Sequence, residues 1–197
     1  MIRIVINIMI YGLLASCVSV PDSTDIKMVY LDQLHEETKL DSSHNEIGSL
    51  VNQCKITVSN TIKNNFLKLK IESIDFSQPH ILFVAASDGD YISHYIALLG
   101  ATKSGQYIAD STESKTIRYL KNQDFESLLR KIEDIDKYSY ELHRPYILHS
   151  RCYYISVYKN NEYRDIIVSS EMIKSELLEA DSDPVTIMIY FLSKIKI

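Results

Sequence analysis

The sequence predicts a single α+β domain in which antiparallel hairpins pack with two to four amphipathic helices. Three observations carry this expectation. Apolar residues recur at three- and four-residue steps through Leu50, Val51, Cys54, Val58, Ile62, Phe66 and Leu69, and again through Phe125, Leu128, Leu129, Ile132 and Ile135. That spacing is the stripe of a helix with one buried face. Strand-like runs are meanwhile joined by turn formers, Ser87-Asp88-Gly89-Asp90 and Lys159-Asn160-Asn161-Glu162, the pattern of hairpins. Long stripes mixed with hairpins fit an α+β fold better than a parallel, doubly wound sheet.

In chain order, the first seventeen residues stand apart. Arg3 lies beside the amino terminus, the apolar run Ile4–Leu14 follows, and Leu14-Ala15-Ser16-Cys17 closes the stretch. A basic start, a short apolar segment and a small-residue junction make a secretory signal. The run is too short for a bilayer-spanning helix, which needs ~20 apolar residues. The alternation of Ile2, Ile4, Ile6, Ile8 and Ile10 also fits a buried strand, but the position, the basic flank and the cysteine favour the signal. The junction carries the leucine, two small residues and cysteine of the lipobox, and so resembles the signal peptides of bacterial lipoproteins. The resemblance implies a signal peptide over 1–16, cleavage before Cys17, thioether lipidation of Cys17 and acylation of the new amino terminus with a palmitate-type chain. Val18 stands where an aspartate would favour the inner membrane, so the same analogy implies the periplasmic side of the outer membrane. Residues 17–25, with Pro21, Asp22, Ser23 and Thr24, read as a lipidated tether, and 26–197 as the folded domain.

Within that domain, Ile26–Leu34 reads as a first strand or a short helix. Residues 35–46 are polar, with Asp41-Ser42-Ser43 offering helix caps. The long stripe from Ile47 predicts a helix, with a break expected near Lys55–Val58 where β-branched residues gather. Ser77-Gln78-Pro79 ends it. His80–Ala86 then predicts a strand apolar on both faces, Asp88-Gly89 a tight turn, and Tyr91–Leu99 the return strand. A second hairpin joins Gln106–Ala109 to Lys115–Leu120. Asn122 or Asp124 caps the helix that carries Phe125–Ile135. Cys152–Tyr158 and Tyr163–Ser169 form the best hairpin, because asparagine tolerates the positive φ of a tight connection. Ser170–Ala180 predicts a helix. Asp183-Pro184 opens a last segment, Val185–Ile195, that reads as buried helix or terminal strand.

Composition bounds the function. The 197 residues carry 21 basic and 26 acidic side chains. Cleavage before Cys17 would remove Arg3 and leave 20 basic ones. Such a chain suits neither nucleic acid, whose binding rests on clustered Lys and Arg, nor an electrostatic hold on anionic headgroups beyond a lipid anchor. There are 14 Tyr and no Trp, a composition that serves half-buried sheet faces and recognition surfaces alike. An exported chain meets an oxidising compartment, so the two remaining cysteines, Cys54 and Cys152, read most economically as a disulfide. Two separately buried thiols are the alternative. A bridge would stabilise by ~2–4 kcal/mol.

Catalytic patterns are weak. No GxSxG elbow marks a serine, and His149 and Cys152, three residues apart on an expected strand, fall on opposite faces. There is no HExxH, and His143 and His149 would need a loop to bring the two imidazoles together. Asp88-Gly89-Asp90 lacks the further acidic positions of a calcium loop and reads as a plain turn. Gly100 and Gly105 are isolated, so no phosphate cradle forms. Glu133, Asp134 and Asp136 read as a solvated helix edge. The expectation is a non-enzyme without cofactor or metal.

What remains is recognition. Tyr138, Tyr140, His143, Arg144, Tyr146 and His149 make an aromatic-basic segment around Pro145, the residue types that binding hot spots use; several of these rings also fit simple sheet cover. Small tyrosine-rich α+β lipoproteins without catalytic motifs are similar in type to the immunity proteins that neutralise toxins passed between bacteria. That similarity implies a protein partner, a secreted toxin or effector, inhibited by steric occlusion. The alternative expectation is a structural or assembly lipoprotein of an outer-membrane complex.

Overall fold

A hydrogen-bonded sheet of six antiparallel strands, in the order β4-β3-β2-β1-β5-β6, forms the middle layer of the computed structural model. The model describes residues 22–36, 46–87, 94–133, 151–169 and 171. The elements are α1 (Ser23–Glu36), α2 (Glu46–Asn65), β1 (His80–Ser87), β2 (Tyr95–Ala101), β3 (Tyr107–Ser111), β4 (Arg118–Tyr119), α3 (Asn122–Glu133), β5 (Arg151–Lys159) and β6 (Glu162–Ser169). Two short 3₁₀ turns, Phe66–Lys68 and Ile71–Ser73, follow α2. Among the described residues the fold is α+β, three helices on an antiparallel sheet.

Local chemistry explains where the first helix begins. Asp22 Oδ1 accepts the backbone N–H groups of Thr24 (2.6 Å) and Asp25 (2.9 Å), and Asp25 Oδ2 accepts the N–H of Asp22. This is a reciprocal capping box with aspartate at both ends. Ser23, Thr24 and Asp25, read from the sequence as part of a tether, form the first turn of α1, and of the strand and short helix expected for Ile26–Leu34 the helix is found. Ile26, Tyr30, Leu31 and Leu34 give α1 its buried face.

The expected break in α2 is absent. The helix runs unbroken through Lys55–Val58, and Cys54, Val58 and Ile62 are all buried against the sheet. Thr57 and Thr61 donate their hydroxyls to the carbonyls of Gln53 and Thr57, both at 3.0 Å, which keeps their polar atoms within the helix. Burial of the stripe outweighs the few tenths of a kcal/mol that each β-branched residue costs.

The sheet buries both faces. On one side Ile81, Phe83, Leu99, Ile155 and Val168 meet Phe125, Leu128, Leu129 and Ile132 of α3. On the other, Leu82, Val84, Ile96, Leu98 and Tyr154 meet α1, α2 and the turns after it. That is why β1 is apolar at every other position in both registers. Tyr107 stacks on Phe125 (centroids 4.2 Å apart, planes at 20°) and closes the α3 side.

Among the described residues, four sequence-adjacent antiparallel pairs, β1–β2, β2–β3, β3–β4 and β5–β6, build the ladder. The β5–β6 connection is a two-residue turn with positive φ at Asn160 (55°) and Asn161 (64°), the backbone that matches strand twist. The β2–β3 turn, which the sequence pattern did not reveal, uses Gly105 at φ 79° and a bond from Gly105 N–H to the Thr102 carbonyl (2.8 Å). β3 pairs with β4 through Ile108↔Tyr119 and Ala109↔Arg118. The return strand β2 begins at Tyr95, later than expected, and the Asp88-Gly89 turn lies outside the described residues. The hairpins are joined where β5 pairs with β1, from His80↔Tyr158 to Ser87↔Arg151.

Cys54 and Cys152 are bonded, with S–S 2.04 Å and Cα atoms 5.2 Å apart. The bridge ties the middle of α2 to the start of β5. Both ends of the bridge are buried. Among the described residues no helix is long and apolar enough to cross a membrane.

Candidate functional site

The expected recognition segment, Tyr138, Tyr140, His143, Arg144, Tyr146 and His149, lies outside the described residues. So do Cys17, the helix expected over Ser170–Ala180 and the segment Val185–Ile195. Of the tyrosines that are described, Tyr30, Tyr95, Tyr153 and Tyr154 are buried and only Tyr119 is well exposed. Tyrosine in this part of the chain mostly builds the core.

A concave feature of the described surface sits between α1 and α2. Leu34 and His35 from the end of α1 face Asn52, Lys55, Ile56, Ser59, Asn60 and Lys63 of α2 across a groove of about 350 Å³. The α2 residues follow the steps of one helix face, so the groove runs along three turns, about 16 Å at 1.5 Å per residue. Its floor follows from the stripe described above. Cys54, Val58 and Ile62 turn toward the sheet, which rotates Lys55, Ser59 and Lys63 toward α1. The disulfide at Cys54 fixes this wall to β5.

Polarity within the groove is uneven. Ile56 is 64% exposed, although isoleucine is most often buried. Lys55 is only 7% exposed, so its methylene stem is packed away. Among the residues whose side chains are described, neither Lys55 nor Lys63 has a carboxylate within ion-pair distance, and no Asp or Glu is found lining the groove. The arrangement can hold an anionic group beside an apolar one.

A second cluster lies inside the fold. His80, fully buried at the start of β1, stacks on Tyr158 (4.8 Å) and meets the edges or faces of Phe76 (4.9 Å), Tyr163 (5.9 Å) and Tyr30 (6.4 Å). His80 Nδ1 lies 2.9 Å from the Gln78 carbonyl. A carbonyl only accepts, so Nδ1 carries the proton and Nε2 is left as a bare lone pair. Among the described residues neither Nε2 nor the Tyr30 hydroxyl has a hydrogen-bond partner. Burial lowers the imidazole from 6.5 to about 4, against the opposing pull of the Gln78 bond. Burial likewise pushes the Tyr163 hydroxyl up to about 12. A neutral histidine shut among rings is a structural element of the core.

Other pairings have definite chemical roles. His94 Nδ1 lies 3.2 Å from Thr61 Oγ1, but that hydroxyl already donates to the Thr57 carbonyl. The imidazole therefore donates to it, the reverse of what a general base requires. Cys152 is spent in the disulfide and offers no thiolate. Glu133, expected on a solvated edge, forms an ion pair with Lys159. Among the described residues no three His, Cys, Asp or Glu side chains converge on a metal position.

The α1–α2 groove is thus the site that sequence reasoning missed. A signal was present: Lys55, Ser59 and Lys63 share one side of the α2 stripe, yet only the placement of α1 turns that side into a concave surface. Set against models of known protein families and against curated protein sequences, the chain matches none of them.

Proposed function

We propose that this protein is a non-enzymatic, lipid-anchored envelope protein that binds another protein and inhibits it by steric occlusion, in the manner of immunity proteins. The observation that carries the reading is the α1–α2 groove, an open concave surface whose wall is fixed by a disulfide. A covalent link between α2 and the sheet limits the ordering that binding would otherwise require, which favours affinity. The disulfide suits an oxidising compartment, and the Leu14-Ala15-Ser16-Cys17 junction suits a lipid anchor at Cys17. Occlusion needs a rigid body held near the membrane, and these features supply both.

The test is co-purification. The tagged protein is extracted from its own envelope in mild detergent, its amino terminus is read by mass spectrometry, and the bound proteins are counted. A diacylated or triacylated Cys17 and one dominant partner in near-equal amount are expected, with a toxin-type reading frame immediately upstream. Recovery of an unprocessed Met1, or of no partner, refutes the reading.

A further inference from the structure

The proposal that this chain binds a protein points to the α1–α2 groove but leaves open what that groove recognises, and the inference here rests on that proposal. We infer that the α1–α2 groove docks an acidic, apolar-faced helix of the partner, with Lys55 and Lys63 as its two anion anchors. Three observations argue for that occupant. Among the residues whose side chains are described, the groove is lined by Lys55 and Lys63, the apolar Leu34 and Ile56 and neutral polar side chains, with no carboxylate, in a chain of net charge −5. Lys55 keeps its stem almost wholly covered while its ammonium has no counter-charge among the described side chains. A cation held in a partly dry place is stabilised by an anion brought to it. Ile56, 64% exposed on the same face, presents an apolar contact to whatever fills the groove.

Spacing sets the occupant's pattern. Lys55 and Lys63 are eight residues apart on α2, about 12 Å along its axis. Carboxylates at positions i and i+7 of a docked helix span nearly the same length. Leucines at i+3 and i+4 then fall between them on the same face of that helix, the face turned to the groove with its apolar Leu34 and Ile56. The recognised motif is therefore Glu-x-x-Leu-Leu-x-x-Glu on a helix.

The probe is a fluorescein-labelled, alanine-rich helical peptide carrying that motif, titrated by anisotropy into the native protein extracted in mild detergent. Counterparts have both Glu replaced by Gln or by Lys. The Glu peptide is expected to bind at least about tenfold tighter than the Gln peptide, the size of a charge-assisted contact, and the Lys peptide weaker still. Lys63→Glu, at an exposed position, and Lys55→Gln, which keeps most of the stem, should each weaken the Glu peptide about tenfold. Circular dichroism serves as the check that each variant is folded. Equal binding of the Glu and Gln peptides, or folded variants that bind as before, overturns the inference. If a co-purified partner holds undiminished to Lys63→Glu, the groove assignment fails while the protein-binding reading stands. If no partner co-purifies but the peptide binds by charge, the groove assignment stands and that reading fails.

Discussion

Reducing the Cys54–Cys152 bridge should remove a large part of the stability of this fold. The bonded cysteines are 98 residues apart in sequence, and the loop between them contains β1, β2, β3, β4 and α3. In the chain-entropy treatment, a loop of that length restricts the unfolded chain by about 4.7 kcal/mol at 25 °C. That exceeds the ~2–4 kcal/mol expected from composition, because the cross-link spans half the chain. Both cysteines are buried, so the reduced thiols keep nearly the same packing and the folded state changes little. The effect should therefore sit mainly in the unfolded state. Urea unfolding followed by circular dichroism, with and without prior reduction at equal pH, measures it. With a slope of about 2 kcal/mol per molar urea, the midpoint should fall by about 2 M. Protection against reduction until the protein is unfolded should accompany it. A midpoint change below about 0.5 M would refute the reasoning: either the bridge is strained in the folded state, or the unfolded chain is already compact.

Acid should weaken the fold through His80. Its folded-state value of about 4 lies below the ordinary 6.5, so the unfolded chain takes up the proton first as pH falls. The contribution is complete above pH 6.5, declines through the window down to about 4, and amounts to about 3 kcal/mol between pH 7 and pH 4. Urea midpoints across that range measure it, and His80→Phe, which keeps the stack on Tyr158, should flatten this part of the profile. An unchanged pH slope in that variant would show that other groups carry it. Gly100→Ala should destabilise by about 1–3 kcal/mol, since a Cβ there would stand 2.8 Å from Ile74 Cγ2 and 3.0 Å from His80 Cβ. Gly48→Ala, within α2 and with open space around the new methyl, should instead stabilise by about 0.5–1 kcal/mol. Thermal melts of the two variants that moved in the same direction would contradict this account.

Much of the fold was legible in the residues themselves because it is local. Hydrophobic spacing alone places the buried face of α2 and of α3, since a helix brings residues three and four apart to one side. Asparagine at both turn positions places the β5–β6 hairpin, since little else tolerates that backbone. Apolar residues on both faces mark β1 as a covered strand. The capping box at Asp22 was equally local, but Pro21 and its polar neighbours have the composition of a linker, which hid the helix start. What composition could not show is which hairpins sit side by side. The β1–β5 ladder joins residues about seventy positions apart, and no property of either strand names its partner. The close approach of Ile74 and His80 that demands Gly100, and the neutral state of His80, depend on the same distant neighbours. So does the groove: the lysines of α2 are a charged stripe in sequence, and they become a concave cationic site only because the end of α1 is packed against them. Local backbone preference acts within a few residues, whereas burial, charge pairing and concavity are set by whatever the completed fold brings together.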